Sequence, residues 1–131
     1  MSQTIYEISD KLRTREAWSI ACEFVDHSII TGAWVTRQKQ LVGFNLYPEK
    51  LSNKSVILNL YSNEKKEYLA NLKTGHPKLF VVIDNSTSVQ DRLLTITASR
   101  KVADHYTERG ELVLSSDMPD EVANWVKGYI H

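Results

Sequence analysis

Apolar and polar residues alternate along much of the chain. Trp18, Ile20, Cys22 and Phe24 fall on one side of an extended backbone, with Ser19, Ala21 and Glu23 on the other. Val42, Phe44 and Leu46 repeat the pattern, followed by Val56, Leu58 and Leu60, and then by Tyr68, Ala70 and Leu72. Successive side chains leave a strand on opposite faces, so each of these runs predicts a strand with one buried face. Leu79-Phe80-Val81-Val82-Ile83 is apolar on both faces and predicts a central, fully covered strand. Leu94, Ile96 and Ala98 alternate again, and Leu112-Val113-Leu114 predicts a short late strand.

Turn residues punctuate these runs. Thr31-Gly32, Ser62-Asn63, Thr74-Gly75 and Asp84-Asn85-Ser86 sit between them, and the mixed charges of Asn63-Glu64-Lys65-Lys66-Glu67 read as a solvated turn. Strands spaced by about ten residues favour an antiparallel meander over parallel crossover units. Two helices are expected near the end. Ser99 can cap the first, with Val102, Ala103 and Tyr106 on its apolar side and Gly110 at its stop. The second starts at Pro119, carries Asp120 and Glu121 at its positive end, and spaces Val122, Trp125, Val126 and Tyr129 as an amphipathic stripe. The expected fold is therefore α+β: a mostly antiparallel sheet of about six to eight strands, barrel-like, with the last helix packed on it. No linker or repeat interrupts residues 1–131, which read as a single domain.

Composition narrows the classes of function. Sixteen Lys plus Arg balance sixteen Asp plus Glu, which argues against a general nucleic-acid or anionic-membrane binder. The N-terminal segment lacks the charged start and apolar core of a secretion signal, and no run is long enough to span a bilayer. A cytoplasmic location is expected. With Cys22 as the single cysteine there is no internal disulfide and no cysteine-cluster metal site.

No complete catalytic constellation stands out. Phosphate-binding glycine loops, a nucleophile elbow and zinc-protease spacing are all missing. His27, His76, His105 and His131 are scattered, with His76 expected in a loop and His105 on a helix surface. Cys22 lies between Ile20 and Phe24 on the apolar side of its run, the setting of an inert packing thiol. Asp26-His27 and Asp104-His105 are adjacent in sequence, and adjacent side chains point apart in strands and helices alike.

One block is distinctive: Tyr68, Asn71-Leu72, Thr74-Gly75 and Pro77 lead into the apolar strand Phe80-Val81-Val82. Thr97-Ala98-Ser99, Gly110-Glu111, Met118-Pro119 and a helix with Trp125-Val126 follow. In this order, and in Trp18 at the start of the first core strand, the chain resembles a family of short bacterial proteins of unknown function encoded in formate dehydrogenase gene clusters. The likeness covers roughly residues 18 to 130, densest in the second half. It departs from the family pattern at Arg100, where proline is common, and at Val102, where an acidic residue is usual. The signature residues also have structural explanations. Gly75 suits a positive φ, Asn71 can bond the turn backbone, and Ser99 caps a helix.

The resemblance implies a non-enzymatic accessory protein that binds a subunit or precursor of a molybdenum- or tungsten-pterin formate dehydrogenase and serves its maturation, assembly or stability. Trp34, just after Gly32 and outside the clean alternating runs, is the expected exposed anchor, whereas Trp18 and Trp125 read as core. The alternative is a small-molecule module of pterin or nucleotide type, with Tyr68, Asn71, Lys73 and Arg92 as ligand-binding residues. No resident cofactor is expected in the accessory reading.

Overall fold

A computed structural model describes residues 13–84 and 92–131. Its elements are β1 (Ala17–Thr31), β2 (Trp34–Asn45), β3 (Ser55–Asn59), a 3₁₀ turn (Ser62–Glu64), α1 (Lys65–Leu72), β4 (Lys78–Asp84), β5 (Arg92–Thr97), α2 (Arg100–Glu108), β6 (Leu112–Asp117) and α3 (Asp120–Ile130). The strands form one mixed sheet in the order β2-β1-β3-β5-β4-β6. Its two outer strands curl toward each other until Gln38–Leu41 of β2 face Leu114 and Ser115 of β6, which makes a nearly closed barrel. The α+β architecture matches the expectation from sequence.

The alternating runs supply the core. Trp18, Ile20, Cys22, Leu58, Leu79, Val81, Ile83 and Ile96 are buried together, and Val122 and Val126 of α3 close over them. On the opposite face of β4, Val82 is buried where α2 crosses the sheet with Ala103. Trp18 is the largest fully buried side chain, and its indole N–H donates to the Leu46 carbonyl at 3.0 Å. Trp125 packs edge-on against it at 5.3 Å and donates its own N–H to the Thr14 carbonyl. Both indoles thus bury a large apolar body with the polar group satisfied.

Several expectations need correction. Tyr68, Ala70 and Leu72 are not a strand but belong to α1, and the charged run before them, expected as a solvated turn, divides between the 3₁₀ turn (Asn63, Glu64) and the first turn of α1 (Lys65, Lys66, Glu67). Tyr68 and Leu72 are also four residues apart, so the same positions fit one helix face. Lys65, Lys66 and Glu67 are good helix formers, and burial of Tyr68 and Asn71 on one face settles the choice. The topology is not a meander either: β5 lies between β3 and β4 and runs parallel to β3, with Leu58 opposite Ile96. The α1 segment makes this possible, because a parallel neighbour requires a long crossover connection. Pro119 caps α3 rather than opening it. Asn85 and Ser86 of the expected turn after β4 lie outside the described residues.

The largest surprise is the length of β1 and β2. They pair from Ala21↔Asn45 to Thr31↔Trp34, joined by Gly32-Ala33, with one slip that leaves Val42 unpaired. Gly32 has φ 62° and no non-glycine residue among those described has positive φ, the pattern of a II′ hairpin turn. Every residue from Val25 to Gln38 is exposed, so the hairpin leaves the barrel as an arm. At about 3.4 Å per residue, the seven steps from Phe24 to Thr31 extend it by about 24 Å.

Core and arm should respond differently to mutation. Ile20→Ala should lower unfolding free energy by about 2–5 kcal/mol, whereas Ile30→Ser should change it by less than about 0.5 kcal/mol. Urea unfolding followed by tryptophan fluorescence checks both.

Candidate functional site

The arm carries a polar shaft and an apolar tip. Along the shaft, His27 Nε2 and Gln40 Oε1 lie 2.7 Å apart, and Lys39 sits 3.8 Å from the Asp26 carboxylate and 5.0 Å from the Phe24 ring centre. At the tip Ile30 and Val35 are directly paired, on the face that continues from Phe24 and Leu41. Ile29 and Trp34 occupy the opposite face, since residues one step along a strand change sides. Trp34 is 78% exposed, Ile30 73% and Val35 66%. Four apolar side chains therefore stand around one turn, with both faces of the ribbon in solvent. Trp34 is exposed as expected, although it lies within β2 rather than outside the strands.

The four residues of the alternative ligand site are not brought together. Tyr68 is buried on the inner face of α1, where its hydroxyl accepts from the Tyr61 N–H and donates to Glu64. The Asn71 carboxamide is saturated by backbone: its NH₂ donates to the Lys78 carbonyl at 2.7 Å and the Ala98 carbonyl at 2.9 Å, and its oxygen accepts from the Lys78 N–H at 2.9 Å. Lys73 is exposed at the end of α1. Arg92 is exposed at the start of β5, opposite Asp84, five residues or about 17 Å along the strand from Thr97.

The rest of the signature block is local scaffolding. Thr74 Oγ1 donates to the Asn71 carbonyl and accepts from the His76 N–H, while Gly75 takes φ 85°. This turn leads directly into the Lys78 backbone held by Asn71. Thr97 Oγ1 accepts from the Ser99 N–H, and Ser99 Oγ accepts from the Val102 N–H to cap α2. The Met118 N–H donates to the Pro77 carbonyl, which ties the entry of α3 to the same turn.

Two clefts above about 300 Å³, the lower end for a small-molecule site, border α2. Asn63, Glu64, Asp104 and Glu108 frame the larger, about 660 Å³, whose Glu64 is already engaged by Tyr68. The other, about 430 Å³, lies over Phe80 and Ala70 and is rimmed by His76, Lys78, Arg100 and Lys101. Sequence reasoning missed this second cleft because α1, which forms one wall, was read as a strand. Among the described residues, no three of His, Cys, Asp or Glu form a group able to hold a metal ion. His105 lies on α2 beside Tyr106 and His76 in the turn after α1, as expected. Also among the described residues, no helix is long and apolar enough to cross a membrane.

Burial pushes the Cys22 thiol up from 9.0 to about 12 and pushes the Tyr68 phenol above its ordinary value. A raised acid keeps its proton in the folded state after the unfolded chain has lost it. Stability from both groups is complete about one unit below pH 9 and declines as pH rises toward 12, by at most about 1.4 kcal/mol per pH unit per group. The urea midpoint should hold steady from pH 6 to about 8.5 and fall above it, less steeply in Cys22→Ala. At pH 8 a thiol reagent should label native Cys22 far more slowly than the unfolded chain. Asn71→Ala should cost about 2–4 kcal/mol in urea unfolding, since three backbone partners lose one buried bracket, whereas Lys73→Ala should be nearly neutral.

Comparison with protein families matches residues 26–131, from the arm to the C-terminal helix, to one whose function is not known. Searches of curated proteins and of solved structures each returned no match. The chain belongs to the family described as "Protein of unknown function (DUF3305)".

Proposed function

We propose that this chain is a non-enzymatic protein-binding domain that presents its β-arm to a partner protein, with Trp34 as the anchor. The observation that carries this reading is the apolar tip of Ile29, Ile30, Trp34 and Val35, held away from the barrel on a polar shaft. Monomers seldom leave contiguous large apolar side chains in water without a use for them, and tryptophan is enriched among residues that dominate binding energy. The chemistry of the tip defines its counterpart: an apolar socket wide enough for an indole, with carboxylates at its rim to meet the exposed Arg37.

The proposed partner is a formate dehydrogenase subunit or precursor, and the proposed role is an accessory one in that enzyme's maturation, assembly or stability. Its support is the sequence resemblance through the Tyr68–Pro77 block and the Met118-Pro119 helix entry, residues that build the scaffold from which the arm extends.

Tagged protein should recover formate dehydrogenase subunits from its native host grown on formate, identified by mass spectrometry with and without crosslinking. Trp34→Ala should weaken that capture by about 2 kcal/mol or more, roughly thirty-fold in Kd, with an unchanged melting temperature. Failure to recover the enzyme under both conditions would overturn the choice of partner. Equal capture by wild type and Trp34→Ala would overturn the arm as the docking element.

A further inference from the structure

One cleft lies between the end of α1, the start of β4 and the start of α2. Phe80 and Ala70 give it an apolar patch beside Asn71 and Thr74, Arg100 and Lys101 give it positive charge, and His76 completes that side of the lining. At about 430 Å³ it has the size of a small-molecule site and is too small for a folded partner. Lys78 also lines it, but that ammonium is held by Asp117, whose carboxyl it keeps below the usual carboxylate range. Glu67 supplies the one acidic side chain of the lining. The remaining positive charge is that of Arg100 and Lys101, Lys101 also bordering the cleft of Glu64 and Asp104, and no ion pair found among the described residues involves either.

Their placement is costly for the fold. Arg100 and Lys101 open α2, whose first turn contains no acidic residue, so they add like charge to the positive end of the helix dipole. α3 of the same chain does the opposite, with Asp120 and Glu121 in its first turn and Lys127 in its last.

We propose that this cleft binds a small anion with a flat, aromatic body, the ring lying over Phe80 and the phosphate or carboxylate meeting Arg100 and Lys101. The site is independent of the arm. β5 ends at the cleft, and the Leu58↔Ile96 and Trp18↔Leu58 pairings place that level near Trp18, thirteen residues or about 44 Å along β1 from the arm's turn.

Titration of ¹⁵N-labelled protein with AMP, inorganic phosphate and adenosine, at constant ionic strength held by sodium chloride, tests the proposal. AMP should shift the amides of Ala70, Phe80, Arg100 and Lys101 and saturate below about 10 mM. Phosphate should move Arg100 and Lys101 alone and more weakly, and adenosine should bind at least about tenfold less tightly than AMP. The R100E/K101E double variant should lose the AMP response with the rest of its spectrum intact, R100Q/K101Q should weaken it, and Trp34→Ala should keep it. The absence of AMP shifts at the cleft, or an equal response in the charge-reversed variant, would overturn the proposal.

Discussion

The Asn71 carboxamide holds three parts of the protein in one place. With one NH₂ and one oxygen it closes on both backbone groups of Lys78 and on the carbonyl of Ala98, so α1, the first residue of β4 and the junction between β5 and α2 share one side chain. All of these groups are buried or half-buried, where an unmet donor or acceptor is expensive. The bracket allows α1 to serve as the crossover between β3 and β4, and leaves room for β5 to insert between them. The Thr74-Gly75 turn, the Pro77 carbonyl that accepts from Met118, and the Ser99 cap all fall within a few residues of a bracketed atom. A signature block of polar and turn-forming residues is therefore explained first as the joint on which the fold turns.

The legible and illegible parts of the sequence divide along burial. Trp18, Ile20, Leu58, Leu79, Val81 and Val126 could be assigned to the core because one buried face imposes a period that residue types reveal. The caps were equally readable, since Ser99 and Gly75 answer to local backbone needs that act within three residues. Where both readings bury the same residues, periodicity loses its power. Tyr68 and Leu72 satisfy a strand and a helix alike, and burial of Asn71 on the same helix face, where it brackets Lys78 and Ala98, helps decide between them.

The arm was illegible for the complementary reason. From Val25 to Gln38 both faces of the ribbon meet solvent, so nothing selects alternation, and Ile29-Ile30 beside Trp34-Val35 reads as noise between two clean strands. Exposure of Trp34 could be anticipated from its position near Gly32, but the ribbon that carries it could not. The cationic cleft was hidden in another way. Arg100 and Lys101 are neighbours in sequence, yet His76 and Phe80 join them only once β4 runs between α1 and α2. Sites assembled across a crossover leave no mark in spacing.

An isolated two-stranded ribbon is marginally stable in water, so the arm's order must come from its continuity with the barrel and from its own shaft contacts. Those contacts include an exposed His27–Gln40 hydrogen bond, a long Asp26–Lys39 pair whose carboxylate meets solvent, and the Lys39 ammonium over Phe24. Little energy is therefore lost if the tip bends or twists to fit a surface, and burying Trp34, Ile30 and Val35 would return about 1.5–3 kcal/mol apiece. The barrel has the opposite character, because Trp18 and its neighbours are packed without exposed surface and the bracket at Asn71 admits one arrangement. In the accessory role proposed above, adjustment on contact would fall on the arm, the element with the least packing to lose. That division of stiffness is the physical reason the accessory reading places its binding energy in the arm rather than in the signature residues.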